Sequence, residues 1–187
     1  WIGGDQPLLL AVGRLTRQKD FRTLLCAFAR LRESVAARLV VLGEGEDRRE
    51  LETLAARLGL TGVVDMPGFL ANPYPLMAHA DLFVLSSRWE GSPNALTEAL
   101  HLGAPAVATD CPSGPSDVLP RERLAPVGDP DALAECMAAA LQHPGSTGDH
   151  RASVAAFTLE RSAAAYLRVL LGRRSTRHDP GREQVVD

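Results

Sequence analysis

The residues able to do chemistry collect in two stretches. One is Arg14-Leu15-Thr16-Arg17-Gln18-Lys19; the other runs Glu90-Gly91-Ser92-Pro93-Asn94-Ala95-Leu96-Thr97-Glu98. In the second, Ser92 suits a helix N-cap and Pro93 the first helical position. A helix opening there leaves the backbone N–H groups near Asn94, Ala95 and Leu96 without intrahelical partners. They make a positive, hydrogen-bonding cup suited to a phosphate. Glu90 stands just before the cup, and Glu98 lies further along the helix. A carboxylate beside a phosphate site cannot serve the phosphate. It accepts hydrogen bonds, and so suits a hydroxyl-rich partner such as a sugar or a ribose. Taken by themselves, the two glutamates are more simply a loop acid and a solvated helix residue.

The first stretch adds positive charge. The Arg14 guanidinium can fork onto phosphate oxygens, and Lys19 can act as a point charge. Of the 20 lysines and arginines, Lys19 alone is a lysine. Without the glutamates, two ordinary surface cations would be an equally good reading. Other features say less. Gly43-Glu44-Gly45 echoes a dinucleotide fingerprint, but position 48 is Arg48 where the third glycine belongs, so we read a close-approach turn. Phe69 either lines a base pocket or packs in the core. His79 and His101 lie in helical stretches as packing or surface residues. Asp110-Cys111-Pro112-Ser113-Gly114-Pro115 reads as a rigid turn placed to touch a ligand, and Cys111 has no visible activator. No set of His, Cys, Asp and Glu has metal-ligand spacing, so no metal or cofactor is expected.

These stretches need a scaffold, and the apolar pattern supplies one. Leu8–Val12, Leu39–Leu42, Val63–Met66, Leu82–Leu85 and Ala106–Thr109 are short apolar runs, most of them closed by Gly, Pro or a polar loop. They read as buried strands of a parallel sheet. Between them lie helical segments: from Phe21, capped by Asp20; about Asp47 to Leu58, stopped by Gly59; Asn72 to Ala80; and from Ser92 to Gly103. Asp131 to Gln142 and Ala152 to Leu171 read as further helices. Alternating strands and helices predict an α/β, Rossmann-like parallel sheet with helices on both faces. Ligands of such sheets bind at the carboxyl ends of the strands, where both chemical stretches fall. We expect one domain over residues 1–171 and a disordered tail over 172–187.

Composition agrees. A chain of 187 residues with 45% hydrophobic content can bury one α/β core. A net charge of −3 argues against broad attraction to nucleic acid. Cys26, Cys111 and Cys136 are an odd set and fit free thiols in a reducing, cytoplasmic setting. No run is long enough for a membrane-spanning helix, and no signal peptide is visible. The chain opens on Trp1 rather than methionine, and we expect a segment of a longer protein.

At this point the chain resembles the family 4 glycosyltransferases, a retaining group with the two-domain GT-B architecture. Three stretches carry the likeness: Val12-Gly13-Arg14 through Lys19, Glu90 through Glu98 with seven residues between its two glutamates, and Gly103 through Asp110. The turn from Cys111 to Pro115 looks like a subgroup that builds bacterial surface polysaccharides. The resemblance implies the C-terminal, donor-binding domain of a GT-B fold, with a nucleotide-sugar as substrate and uracil the base most frequent in the family. It implies catalytic positions at Glu90, Arg14 and Lys19. Arg14 and Lys19, with Gly13, would hold the diphosphate and stabilise the leaving group as an oxyanion hole does. The helix start at Gly91, Asn94, Ala95 and Leu96 would support the same phosphates. Glu90 would bind sugar hydroxyls, Glu98 the ribose, and Phe69 would line the base site. The family is generally metal-independent. A glycan or lipid-linked acceptor would sit on a separate N-terminal domain, which would also carry any membrane contact; alone, this segment would transfer sugar poorly or not at all. The transferase expected is a hexosyl- or N-acetylhexosaminyltransferase. The alternatives are another GT-B enzyme, such as a nucleotide-sugar epimerase or a phosphorylase, and a non-catalytic nucleotide-binding module that kept the fold.

Overall fold

The computed structural model describes residues 1–143 and 150–171. Residues Trp1–Ala155 form one compact unit, and a second begins at Ala156. The first unit holds β1 (Leu8–Val12), α1 (Phe21–Leu31), β2 (Arg38–Leu42), α2 (Arg48–Arg57), β3 (Val64–Gly68), α3 (Tyr74–His79), β4 (Leu82–Leu85), α4 (Asn94–Leu102), β5 (Ala106–Thr109), α5 (Pro115–Val118), a 3₁₀ turn (Arg121–Arg123), β6 (Leu124–Ala125), α6 (Pro130–Gln142) and α7 (His150–Val154). The strands make one six-stranded sheet in the order β3-β2-β1-β4-β5-β6, and every pairing is parallel.

Apolar residues on consecutive strand positions are what a sheet covered on both faces requires, because side chains alternate between faces. Leu9, Ala11, Leu39, Val41, Val84 and Val107 point to one side and pack with Leu24, Leu25 and Phe28 of α1, Leu51 and Leu54 of α2, and Leu133 and Met137 of α6. Leu8, Leu10, Val40, Leu42, Phe83 and Leu85 point to the other and meet Leu76 and Met77 of α3, Leu96 and Leu100 of α4, and Val154 of α7. The expected α/β fold with helices on both faces is the one observed.

In the second unit, α8 (Leu159–Leu170) is capped by Thr158, whose side chain accepts from the Arg161 N–H. The tail expected from residue 172 lies outside the described residues. The compact α/β unit ends at Ala155.

The helix after β4 departs from the expected start. Pro93, not Ser92, is its cap residue, and α4 begins at Asn94. The Ser92 hydroxyl turns to the Asn94 Oδ1 at 2.9 Å instead of capping the helix.

Candidate functional site

All six strands run the same way, so the loops after β1 to β5 share one edge of the sheet. The strand order reverses direction between β1 and β4, the usual crevice for ligands in an open parallel sheet. Lys19 follows β1 and Glu90 follows β4. They are 71 residues apart in sequence, yet the Lys19 Nζ donates to the Glu90 Oε1 at 2.6 Å. Glu90 is buried and Lys19 partly so, with side-chain exposures of 4% and 17%.

Local structure explains how each group arrives there. The Lys19 stem lies over Gly13: a Cβ at Gly13 would sit 3.1 Å from the Lys19 Cε. Asp20 has left-handed backbone geometry, with φ at 47°, and caps α1 by accepting from the Thr23 N–H. Arg88 pairs with Asp20 at 3.0 Å, which ties the loop after β4 to the start of α1. Three more bonds join the same loops: Arg88 N–H to the Gln18 carbonyl at 2.8 Å, Gln18 Nε2 to the Trp89 carbonyl at 3.0 Å, and Ser86 Oγ to the Lys19 carbonyl at 2.8 Å. Glu90 receives a second donor, the Ser87 hydroxyl, at 2.6 Å. Its own N–H donates to the Pro112 carbonyl in the turn after β5. Cys111 in that turn is buried, and burial first, then the nearby Glu90, pushes its thiol above the ordinary range. The thiol is therefore held neutral, in keeping with an inert cysteine.

Arg14 takes a different direction. It is exposed and lines a cavity of about 580 Å³ together with Val12, Gly13, Leu42, Phe69 and Leu70. Phe69 is 78% exposed, so core packing is ruled out and the pocket wall remains. Gly43 and Glu44 also line it, and the Gly43-Glu44-Gly45 turn is the close-approach turn its spacing suggests. The Leu15 N–H donates to the Glu44 carbonyl at 2.8 Å, and a Cβ at Gly43 would lie 1.9 Å from the Gly13 carbonyl oxygen. Arg48 holds the turn in place by forking onto the Glu44 carboxylate at 2.7 and 2.8 Å and by donating to the Gly43 and Met66 carbonyls.

The phosphate cup is narrower than expected. The Asn94 N–H donates to the Ser92 carbonyl and the Leu96 N–H to the Pro93 carbonyl. The Leu96 side chain is wholly buried in the core. That removes Leu96 as a ligand group and leaves the Ala95 N–H as the helix-start donor without a protein partner among the described residues. The later helix start is the cause, because the tight turn around Pro93 consumes the first donors. Asn94 is exposed, and Gly91 faces open space. Glu98 is half-buried on α4, one helical turn from Asn94 on the same face. Burial raises its carboxyl above the ordinary 4.5, and no hydrogen bond or ion pair offsets that among the described residues.

Sequence reasoning missed Ser87, Arg88 and Arg48. Ser87 and Arg88 carried no signal beyond standing beside Glu90. The i,i+4 spacings of Glu44, Arg48 and Glu52 could have marked Arg48.

The profile of the family described as Glycosyl transferases group 1 matches residues 6–143. The chain belongs to this family. An uncharacterized glycosyltransferase of Methanocaldococcus jannaschii is 40% identical over 116 residues, which cover 62% of this chain and 29% of that protein. The N-acetylgalactosamine-N,N'-diacetylbacillosaminyl-diphospho-undecaprenol 4-alpha-N-acetylgalactosaminyltransferase of Campylobacter jejuni is 39% identical over 113 residues, covering 60% of this chain and 30% of that enzyme. The chain thus spans less than a third of the length of these two relatives. Among solved structures, the lipopolysaccharide outer core galactosyltransferase WaaB superposes with a TM-score of 0.80 at 21% identity, over 92% of this chain and 51% of WaaB. Anabaena HepE, solved in complex with UDP, gives 0.77 at 22% identity, over 91% of this chain and 50% of HepE. These likenesses place the sheet among GT-B folds. No helix among the described residues is long and apolar enough to cross a membrane.

Proposed function

We propose that this chain is the donor-binding part of a retaining, family 4 glycosyltransferase, and that it takes a UDP-sugar without a metal ion. One observation carries the reading: at the point where the sheet reverses direction, Lys19 is paired with the buried Glu90 and lays its stem over Gly13, which together with Arg14 lines an apolar cavity. The cavity takes the base, with Phe69 and Leu70 as its walls. Arg14 and Lys19 bind the diphosphate and stabilise the negative charge that grows on it as the glycosidic bond breaks. The Ala95 N–H at the start of α4 adds to that field. Glu90 accepts from hydroxyls of the sugar, and Glu98 accepts from the ribose. Glu90 therefore acts by binding close to the reacting carbon; no nucleophilic role is assigned to it. The acceptor, a glycan or a lipid-linked glycan of bacterial polysaccharide synthesis, is held by a separate domain, and the reaction takes place on the cytoplasmic side. The names of relatives and the UDP bound to HepE support this reading.

Calorimetric titration with UDP, UDP-glucose, UDP-N-acetylglucosamine and GDP-mannose, without magnesium, tests it. One nucleotide class should bind, and both Lys19→Ala and Glu98→Ala should weaken it about tenfold, the effect of one charge-assisted hydrogen bond. A folded chain that binds none of them at millimolar concentration would refute the proposal.

A further inference from the structure

Glu90 Oε1 is claimed twice, by Lys19 Nζ and by Ser87 Oγ, each at 2.6 Å. Glu90 Oε2 has no donor among the described residues, although the residue is only 8% exposed. A carboxylate accepts through both oxygens, so one half of this group is satisfied by the protein and the other is open.

The two donors are not equivalent. Lys19 reaches Glu90 on a four-carbon stem with several rotatable bonds. Ser87 has a short side chain, is wholly buried, and is itself anchored: the Thr109 hydroxyl, also wholly buried, donates to the Ser87 carbonyl at 2.6 Å. The terminal torsion of a glutamate is broad and nearly two-fold, so a carboxylate held by lysine alone can exchange its oxygens. A second donor from a fixed direction on the same oxygen stops that rotation.

We propose that Ser87 is a positioning residue for sugar recognition: tied to β5 through Thr109, it locks the Glu90 carboxylate so that Oε2 faces the donor sugar. Lys19 supplies charge and Ser87 supplies orientation. This rests on the donor-site reading above and goes beyond it by predicting which part of the ligand feels Ser87. The nucleotide is held elsewhere, by Arg14, Lys19 and the cavity around Phe69, so losing the Ser87 hydroxyl affects the sugar and spares the nucleotide.

The test compares UDP with UDP-glucose, UDP-galactose and UDP-N-acetylglucosamine, and GDP with GDP-mannose, by calorimetry on the chain. It uses wild type, Ser87→Ala, Glu90→Gln and the double variant. The ratio of nucleotide-sugar to nucleotide affinity should fall about tenfold in Ser87→Ala, the weight of a hydrogen bond to a charged group. UDP affinity should stay within twofold, which also reports that the variant is folded. In the Glu90→Gln background, Ser87→Ala should change the ratio no further. Should Ser87→Ala not fold, Ser87→Cys keeps a weak donor of similar size and should show a smaller, still sugar-selective loss. Equal weakening of UDP and UDP-sugar, an unchanged ratio, or additivity with Glu90→Gln overturns the inference and leaves the donor site standing. A wild type that binds nucleotides with no gain from the sugar does the same. A wild type that binds none of the compounds removes the donor-site reading, and this inference with it.

Discussion

Gly43→Ala is the substitution whose cost follows most directly from the geometry. Gly43 has φ at 139°, a region that L side chains rarely adopt, and a Cβ there would stand 1.9 Å from the Gly13 carbonyl oxygen and 2.9 Å from its carbon. Both obstacles are backbone, so no side chain can swing aside. The strained conformation costs about 1–3 kcal/mol. Relieving the clash means parting the loops after β1 and β2, which are joined by Gly13 N–H to the Leu42 carbonyl at 2.9 Å and by Leu15 N–H to the Glu44 carbonyl at 2.8 Å. At about 1 kcal/mol for each lost bond, the total comes to roughly 3–5 kcal/mol, a large share of the 5–15 kcal/mol typical of a domain. At about 2–4 °C per kcal/mol for a chain of this size, Tm should fall by roughly 6–20 °C. Gly59→Ala is the control. Gly59 also has a positive φ, at 70°, but a Cβ there meets nothing within 4 Å. It should cost only about 1 kcal/mol, the left-handed penalty alone. Thermal melts followed by far-ultraviolet circular dichroism give both numbers. If the two variants melt within a degree or two of each other, the close approach of the two loops does not hold, and neither does the placement of Gly13 under Lys19.

Three further outcomes follow from single groups. Asp20→Ala should destabilise by at least about 2 kcal/mol, from the lost cap and from placing alanine at a left-handed position, with the lost Arg88 ion pair in addition. Asp20→Asn keeps the cap and the backbone preference, loses only the charge opposite Arg88 and should cost clearly less, and urea denaturation measures the two variants. Glu98 has its carboxyl raised above 4.5 by burial, so the folded chain holds that proton to higher pH than the unfolded chain. The contribution of Glu98 to stability is then greatest below 4.5 and is lost as pH rises through the folded value. Glu98→Gln should raise Tm at pH 7, with the gain vanishing near pH 4, while nucleotide affinity falls; a lower Tm at pH 7 would mean that the carboxylate is paired after all. Cys111 is 2% exposed and its thiol is raised by burial, so iodoacetamide at pH 8 should label the partly exposed Cys26 before Cys111 in native protein, and both alike in urea, as read by mass spectrometry.

What could be read ahead, and what could not, depends on where the information resides. The bounds of β1, β4 and β5 were legible because β1 and β4 are unbroken apolar runs and β5 is one closed by Thr109, and covering both faces of a parallel sheet demands that pattern. β6 was not legible. Leu124-Ala125 is a strand only because it pairs with Ala108 and Thr109 of β5, and two residues carry no periodicity of their own. The start of α4 was misplaced for a related reason. Ser92 has the right side chain for a cap, but its hydroxyl finds the Asn94 side chain first, a competition that preference rules do not contain.

The meeting of Lys19 with Glu90 belongs to a third kind. Each residue was legible as chemistry, and neither stretch implied the other at a separation of 71 residues. What joins them is topology: the chain lays β2 and β3 on one side of β1, then returns to lay β4 on the other. The loops leaving β1 and β4 therefore turn away to opposite faces, with α1 against one core cluster and α4 against the other. The gap this opens must be bridged or wet. Gln18, Lys19 and Asp20 bridge it from one side, and Ser86 to Glu90 bridge it from the other. A cation and a carboxylate at that seam can answer different parts of one ligand, phosphate on one side and hydroxyls on the other, while neutralising each other when the ligand is gone. Exchanging them as Lys19→Glu with Glu90→Lys should accordingly preserve the fold, since the pair survives; if the proposed donor site is right, it should also abolish nucleotide-sugar binding, since each charge would then face the wrong part of the ligand.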